Sequence, residues 1–174
     1  MKRKRNVNLL ICVIILFLFS NFKNNINNKI IINVKLPEMN HSMPIYDDFF
    51  AKLEIPSIKL KSSLYKNNNV NKNIEILFPS IMPDKPNSTL ILAAHSGNSN
   101  VSYFKNLDKL KLNDIAKIYY KNNTYIYKVI NIERQNKNGY ITIFNKDISQ
   151  LILTTCDQKD KNKQLVIILE ANKS

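Results

Sequence analysis

Residues 151–158 read LILTTCDQ, and this stretch indicates the kind of fold to expect. Leucine, isoleucine and threonine favour an extended strand, and the polar residues from Asp157 onward end it. The pattern therefore predicts a buried strand with Cys156 at its end. Free cysteine is among the most buried residue types, which favours a structural thiol. A strand end is also a place where an enzyme displays a nucleophile, and the pattern alone leaves both interpretations open.

The same pattern of short apolar runs extends from residue 47 to the C-terminus. Eight runs rich in Ile, Val, Tyr, Leu and Thr are separated by Asn, Asp, Gly or Pro, and residues 122–124, NNT, predict a hairpin turn. Only residues 101–112 place apolar side chains at helical spacing. We therefore predict an all-β domain, a barrel or a sandwich, with one or two short helices. The eight runs are AKLEIP, IKLKSSLYK, STLILAAH, AKIYYK, TYIYKVINIE, GYITIF, LILTTC and QLVIILEA.

The N-terminus has the composition of a targeting segment. Residues 1–22 join a basic cluster, KRKR, to an apolar run that is short for a spanning helix of about 20 residues. No small-x-small cleavage site follows, so we favour an uncleaved signal-anchor over a cleaved signal peptide. The basic cluster then stays in the cytoplasm. We predict a single-pass protein of the cell membrane with a linker over residues 23–46 and an extracellular folded domain over residues 47–174.

The charge of the chain excludes some classes of partner. The net charge is +13, but residues 1–35 contain seven Lys or Arg and no acid, so residues 36–174 carry the remaining +6. We find no zinc finger, no RNP-type aromatic motif and no Gly-rich phosphate loop. A mild positive charge without such motifs does not indicate nucleic-acid binding.

Cysteine and histidine are scarce, which narrows the possible chemistry. Cys12 lies in the N-terminal apolar run, so Cys156 is the one thiol of the predicted domain, and an unpaired cysteine in an exported domain indicates reactivity. His41 lies in the linker, and His95 follows the strand TLILAA. Two histidines are too few for most zinc sites, and we expect no metal and no organic cofactor. His95 is either a satisfied core histidine or the proton acceptor that a cysteine nucleophile needs.

The end of the chain places a further strand beside the cysteine. The run QLVIILEA begins at Gln164, eight residues after Cys156. Strands joined by so short a loop pair readily, so the start of this strand and Cys156 are expected to be neighbours. Thr155 and a polar side chain at the start of the last strand are therefore candidate donors to an oxyanion.

Four segments together resemble the sortase family. They are LEIPSIKLKSSLYK, LILAAHSGNSNVSYFKNLDKLKLND, LILTTCDQ and KQLVII, and the resemblance extends over about residues 51–171. It implies an eight-stranded β-barrel and a membrane-anchored cysteine transpeptidase of Gram-positive-type bacteria. By resemblance Cys156 is the nucleophile and His95 the general acid and base. The implied partners are an LPxTG-like sorting signal at a protein C-terminus and an amine acceptor, either a peptidoglycan precursor or a pilin lysine.

One departure from the family pattern concerns the last strand. The resemblance implies an arginine at its start, where this chain reads Lys163-Gln164-Leu165. Gln164 occupies the arginine position by alignment of the apolar residues that follow, and a shift of one residue would place Lys163 there. The only arginine of the domain is Arg134, in a different segment. A glutamine can still donate hydrogen bonds, but it lacks the charge and the guanidinium fork.

This departure leaves three interpretations of the function. The first is a divergent sortase-like transpeptidase, which we favour. The second is a cysteine hydrolase that uses the same pair and releases the peptide to water. The third is a barrel of the same fold that binds sorting signals with little or no turnover. The missing arginine favours the third, whereas a Cys156–His95 pair argues against it.

Overall fold

The computed structural model describes residues 29–33, 49–66, 72–144 and 147–172. These residues form ten strands and two short 3-10 helices, at Pro56–Ile58 and Leu107–Lys109. No helix within the described ranges is long and apolar enough to cross a membrane, and the predicted anchor over residues 1–22 lies outside them. The strands are β1 Lys29–Asn33, β2 Phe49–Ile55, β3 Leu60–Tyr65, β4 Glu75–Ile76, β5 Thr89–Ala93, β6 Ile115–Tyr120, β7 Asn123–Asn136, β8 Tyr140–Phe144, β9 Gln150–Cys156 and β10 Lys163–Ala171.

Eight of these strands form one sheet in the order β3-β2-β6-β7-β10-β9-β5-β4. Adjacent strands of this sheet run antiparallel, except for β5 and β9, which run parallel. The two edge strands approach each other, because the Ser62 hydroxyl of β3 donates to the Asn73 side-chain oxygen just before β4, at 3.3 Å. The sheet is therefore a nearly closed β-barrel, which is one of the two architectures that the strand pattern predicts and the one that the family resemblance implies.

Apolar side chains are buried on both faces of β5, β9 and β10. One set, which includes Leu92 and Leu153, packs inside the barrel with Phe104 of the long loop. The alternate set, which includes Ile91 and Ile152, packs on the outer face against β8. Burial on both faces explains why the sequence of these strands is continuously apolar instead of alternating.

Strand β8 is the predicted run GYITIF, but it lies outside the barrel. It pairs with β1 in a separate two-stranded sheet, and β1 lies within the segment interpreted as a linker. On its other edge, the Thr142 N–H donates to Oε1 of Gln135 and the Thr142 carbonyl accepts from Nε2 of the same residue, both at 2.8 Å. The side-chain amide of Gln135 thus replaces one residue of a neighbouring strand. The eighth barrel strand is instead the two-residue β4.

The segment with helical spacing forms a single 3-10 turn. Phe104, Leu107 and Leu110 are buried together, as their spacing predicts. The backbone bonds join Lys109 N to Asn106 O and Leu110 N to Leu107 O, and Leu110 itself is already extended. The predicted apolar face is therefore correct, although the segment forms only one short 3-10 turn.

Candidate active site

The strand register brings His95 and Cys156 together. Ala93 of β5 pairs in parallel with Thr154 of β9, and His95 and Cys156 each follow that pair by two residues. Neighbouring strands lie about 4.8 Å apart, so the two residues leave the sheet side by side at the same edge. His95 is half-buried and Cys156 is exposed. A thiol that solvent and substrate can reach, beside an imidazole, is the arrangement that cysteine nucleophiles need.

Both side chains line one cavity of about 170 Å³. Its lining combines residues at the ends of β5 and β9 with the apolar side chains of Ile141, from β8, and Leu77. A cavity with apolar lining and a few converging polar groups is typical of a binding or active site. The remaining lining residues are Ala93, Ala94, Lys137, Gly139, Thr154, Thr155 and Gln164.

Gln164 lies directly across the β9–β10 ladder from Cys156. Directly opposed residues of an antiparallel pair project from the same face, so the Gln164 side chain shares the face of the thiol. Its Nε2 donates to the Tyr140 carbonyl at 2.5 Å. A primary amide carries two N–H donors, so this bond leaves one donor for another acceptor.

Thr155 and Lys163 have different positions from Gln164. Thr155 lines the cavity, but its hydroxyl is buried and donates to the Ala94 carbonyl at 2.6 Å. Lys163 precedes Gln164 in β10 and therefore projects from the opposite face of the sheet. It does not line the cavity within the described part of the chain. Of the two alternatives at the arginine position, Gln164 is the one that faces Cys156.

Arg134 contributes to the site from the other face of the sheet. It pairs with Leu165, whose side chain lies in the barrel core, so Arg134 projects away from Gln164. Its Nε donates to Oδ2 of Asp157 at 2.7 Å, and the Asp157 side chain is only 3% exposed. Asp157 follows the cysteine directly, and its Oδ1 accepts from the Lys159 N–H at 3.0 Å. The ion pair therefore fixes the turn that leaves Cys156.

Two residues that the sequence analysis did not identify connect the His95 loop to the cysteine. The Ser96 hydroxyl donates to the Cys156 carbonyl at 2.7 Å. The Gln158 side-chain amide donates to the Ser96 carbonyl at 2.5 Å and to the Lys105 carbonyl at 2.8 Å. No local pattern marks these residues, because their partners lie more than 50 positions away. Among the described residues, no three His, Cys, Asp or Glu side chains are grouped as metal ligands.

Comparisons with known proteins identify the family to which this fold belongs. The model of the sortase domain family matches residues 53–173. Sortase C1 from Streptococcus agalactiae has a TM-score of 0.62 and 24% identity, over 73% of this chain and 69% of that chain. Clostridium perfringens sortase C, solved with the C-terminal cell wall sorting motif, has a TM-score of 0.62 and 24% identity, over 75% and 74%.

A third similar structure belongs to another subgroup. Sortase A from Corynebacterium diphtheriae, as a lid mutant, has a TM-score of 0.62 and 22% identity, over 75% of this chain and 73% of that chain. These identities are low and show the shared fold. A search of the curated proteins found no match. Because the family model covers more than half of the sequence, the chain is a member of the sortase family.

Proposed function

We propose that this protein is a cysteine transpeptidase that cleaves an LPxTG-like sorting signal and joins the new C-terminus to an amine. The observation that supports this most is the shared register of His95 and Cys156 at the ends of two neighbouring parallel strands. The exposed thiol, the half-buried imidazole and the apolar cavity beside them provide a nucleophile, a proton carrier and a binding surface.

The first half of the reaction forms a thioester. The peptide binds along the cavity with its scissile carbonyl carbon at the Cys156 sulfur. As the S–C bond forms, His95 accepts the thiol proton. His95 then donates a proton to the departing amine, and the C–N bond of the peptide breaks. The acyl part of the substrate remains on Cys156, and the C-terminal fragment leaves.

The second half of the reaction reverses these roles. An amine attacks the thioester carbon, and His95 accepts a proton from the amine as the new amide bond forms. The C–S bond breaks, and the Cys156 sulfur regains its proton. Water in place of the amine gives hydrolysis, so the choice between transfer and hydrolysis depends on which nucleophile reaches the thioester.

Gln164 is our candidate for the oxyanion donor. Both tetrahedral intermediates place negative charge on the former carbonyl oxygen, next to Cys156. Gln164 faces the cysteine across the ladder, and its amide has a second N–H beyond the bond to Tyr140. An amide stabilises the oxyanion less than a guanidinium does, because it lacks the positive charge and the fork of parallel N–H donors. We therefore expect a slower enzyme than one with a guanidinium at this position.

The proposed partners follow from the family. Clostridium perfringens sortase C was solved with a C-terminal cell wall sorting motif, which supports a sorting signal as the substrate here. The acceptor is the amine of a peptidoglycan precursor or of a pilin lysine. The N-terminal residues 1–22 would hold the domain at the outer face of the membrane, where both partners occur.

The absence of an arginine opposite Cys156 favours one second candidate, a binding protein with little turnover. A transfer assay separates the two. The full-length protein in detergent is incubated with LPxTG-like peptides and a glycine-based amine, and the products are separated by mass. Amide product that requires the amine supports transfer, free acid alone indicates a hydrolase, and unchanged peptide in the presence of measurable binding indicates the binding protein.

A further inference from the structure

His95 is carried by a loop instead of a strand. Strand β5 ends at Ala93, and the next regular element is the 3-10 turn that begins at Leu107. The loop is closed at its base by the Phe104 N–H, which donates to the His95 carbonyl at 3.0 Å. Phe104 is fully buried in the barrel core. The position of the imidazole therefore depends on how firmly the base of this loop is held.

The side chain of Gln158 spans the base of that loop. Its Nε2 donates to the carbonyl of Ser96 at 2.5 Å and to the carbonyl of Lys105 at 2.8 Å. These residues adjoin His95 and Phe104, one on each side of the closing bond. A primary amide has two N–H donors, which is enough for both carbonyls. One side chain thus links both ends of the loop.

A second bond connects the same elements in the opposite direction. The Ser96 hydroxyl donates to the Cys156 carbonyl at 2.7 Å. Ser96 therefore receives a bond from residue 158 through its backbone and gives a bond to residue 156 through its side chain. Ser96 is buried, whereas Gln158 is largely exposed and lies outside both apolar clusters. Because Gln158 is exposed and belongs to neither cluster, its contribution is its hydrogen bonds and not core packing.

We propose that Gln158 is a positioning residue for His95, which holds the imidazole in reach of the Cys156 thiol through the Ser96 and Lys105 carbonyls. This inference rests on the proposed function, since the imidazole needs this placement only if it transfers protons to and from the thiol. A displacement of about 1 Å at a reacting group commonly lowers the rate by about 10²-fold. Loss of the Gln158 bonds is therefore expected to slow catalysis and leave peptide binding unchanged.

Two substitutions and a neighbouring control test this role kinetically. Gln158→Ala removes the donors, and Gln158→Glu keeps the shape but directs carboxylate oxygens at two carbonyl oxygens. We expect kcat to fall about 10- to 100-fold in both, with Glu at least as slow as Ala, and KM to change less than about twofold. Lys159 is the next residue along the chain and is exposed, so Lys159→Ala is the control and is expected to keep the wild-type kcat and KM. Values of kcat within twofold of the wild type in both Gln158 variants would overturn the proposal, as would a rise in KM without a fall in kcat.

A measurement without substrate keeps the test independent of the proposed function. Amide hydrogen exchange over residues 96–105 is expected to accelerate in Gln158→Ala, while exchange in β9 and the Tm stay at wild-type values. Alkylation of Cys156 by iodoacetamide is then compared in wild type, Gln158→Ala, His95→Ala and the double variant. If Gln158 affects the thiol only through the position of His95, the effects of Gln158→Ala and His95→Ala on the alkylation rate are non-additive. Unchanged exchange in the loop, or additive effects, would contradict the positioning role even if the wild-type protein transfers no peptide. If the wild-type protein transfers no peptide but Gln158→Ala shows the faster exchange over residues 96–105, the result contradicts the proposed function and leaves the positioning role in place.

Discussion

Gln164 and Cys156 are direct cross-strand partners, and the Gln164 amide donates one hydrogen bond to the Tyr140 carbonyl of β8. Through Gln164, the cysteine is therefore connected to β8, whose Ile141 lines the cavity. The cross-strand pairing also places a neutral amide where the family resemblance implies an arginine. The chemistry of the site therefore depends on how well an amide performs this role.

The first prediction concerns that amide. Gln164→Ala is expected to lower kcat/KM about 10²-fold, because the tetrahedral intermediate loses a donor. Gln164→Arg is expected to exceed the wild-type rate, because a charged donor replaces a neutral one. The Lys163 side chain projects from the opposite face, so Lys163→Ala is expected to keep kcat/KM within twofold of the wild type. Peptide-transfer kinetics measure all three, and equal losses in Gln164→Ala and Lys163→Ala would refute this assignment of faces.

The second prediction concerns the ion pair behind the cysteine. Arg134→Ala leaves the buried Asp157 carboxylate without its partner, and we expect a loss of about 1–3 kcal/mol in the free energy of unfolding. The Lys121–Asp84 pair has nearly the same length, 2.8 Å, but the Lys121 side chain is 61% exposed. Lys121→Ala is therefore the control and should cause a much smaller loss. Urea denaturation measures both, and similar losses from the two variants would count against the argument from burial.

The third prediction concerns stability at high pH. Burial raises the pKa of Tyr127 from 10.0 to about 12, because the barrel core disfavours the phenolate. Since the pKa is raised by folding, this contribution to stability is complete below about pH 10 and is lost as the pH rises to about 12. Two pKa units correspond to about 2.7 kcal/mol. The unfolding free energy of Tyr127→Phe should decline less than that of the wild type between these pH values, and parallel declines would contradict the assignment.

The fourth prediction concerns the attachment of β8. The Gln135 side chain makes two hydrogen bonds to the backbone of Thr142, and β8 carries Ile141 in the cavity wall. Gln135→Ala is expected to accelerate amide exchange at Thr142 and to raise KM several-fold, since the wall would be held less firmly. Gln158→Ala affects kcat in our account, so the two variants should differ in the kinetic constant that changes. A rise in KM without faster exchange at Thr142 would show that β8 is not the cause.

Much of the fold is predictable because strand patterns are local. All eight runs predicted as strands form strands, and the buried face of residues 104–110 is correct. The hairpin turn lies one residue earlier than predicted, at Lys121 and Asn122, where φ is 49° and 62°. A left-handed backbone at two successive residues suits a two-residue hairpin loop, and lysine is accepted there beside the asparagine.

The remaining features depend on distant partners. The two-residue strand β4 is too short to show any period, and the pattern of GYITIF does not show whether it joins the barrel or covers it. The parallel pairing of β5 with β9 joins segments about 60 residues apart, so local patterns do not indicate that His95 and Cys156 are neighbours. Family resemblance supplied that pairing. The Ser96 and Gln158 bonds were not predicted because each joins a side chain to a remote backbone carbonyl.

The central claim is that Cys156 forms a thioester with a sorting-signal peptide with the help of His95. Intact-mass spectrometry tests it on the full-length protein in detergent, mixed with a pooled library of LPxTG-like peptides and no added amine. We predict a mass gain equal to the N-terminal part of one peptide, which is absent in Cys156→Ala and in His95→Ala. A library that leaves both the wild-type protein and the Gln164→Arg variant without an adduct would contradict the claim.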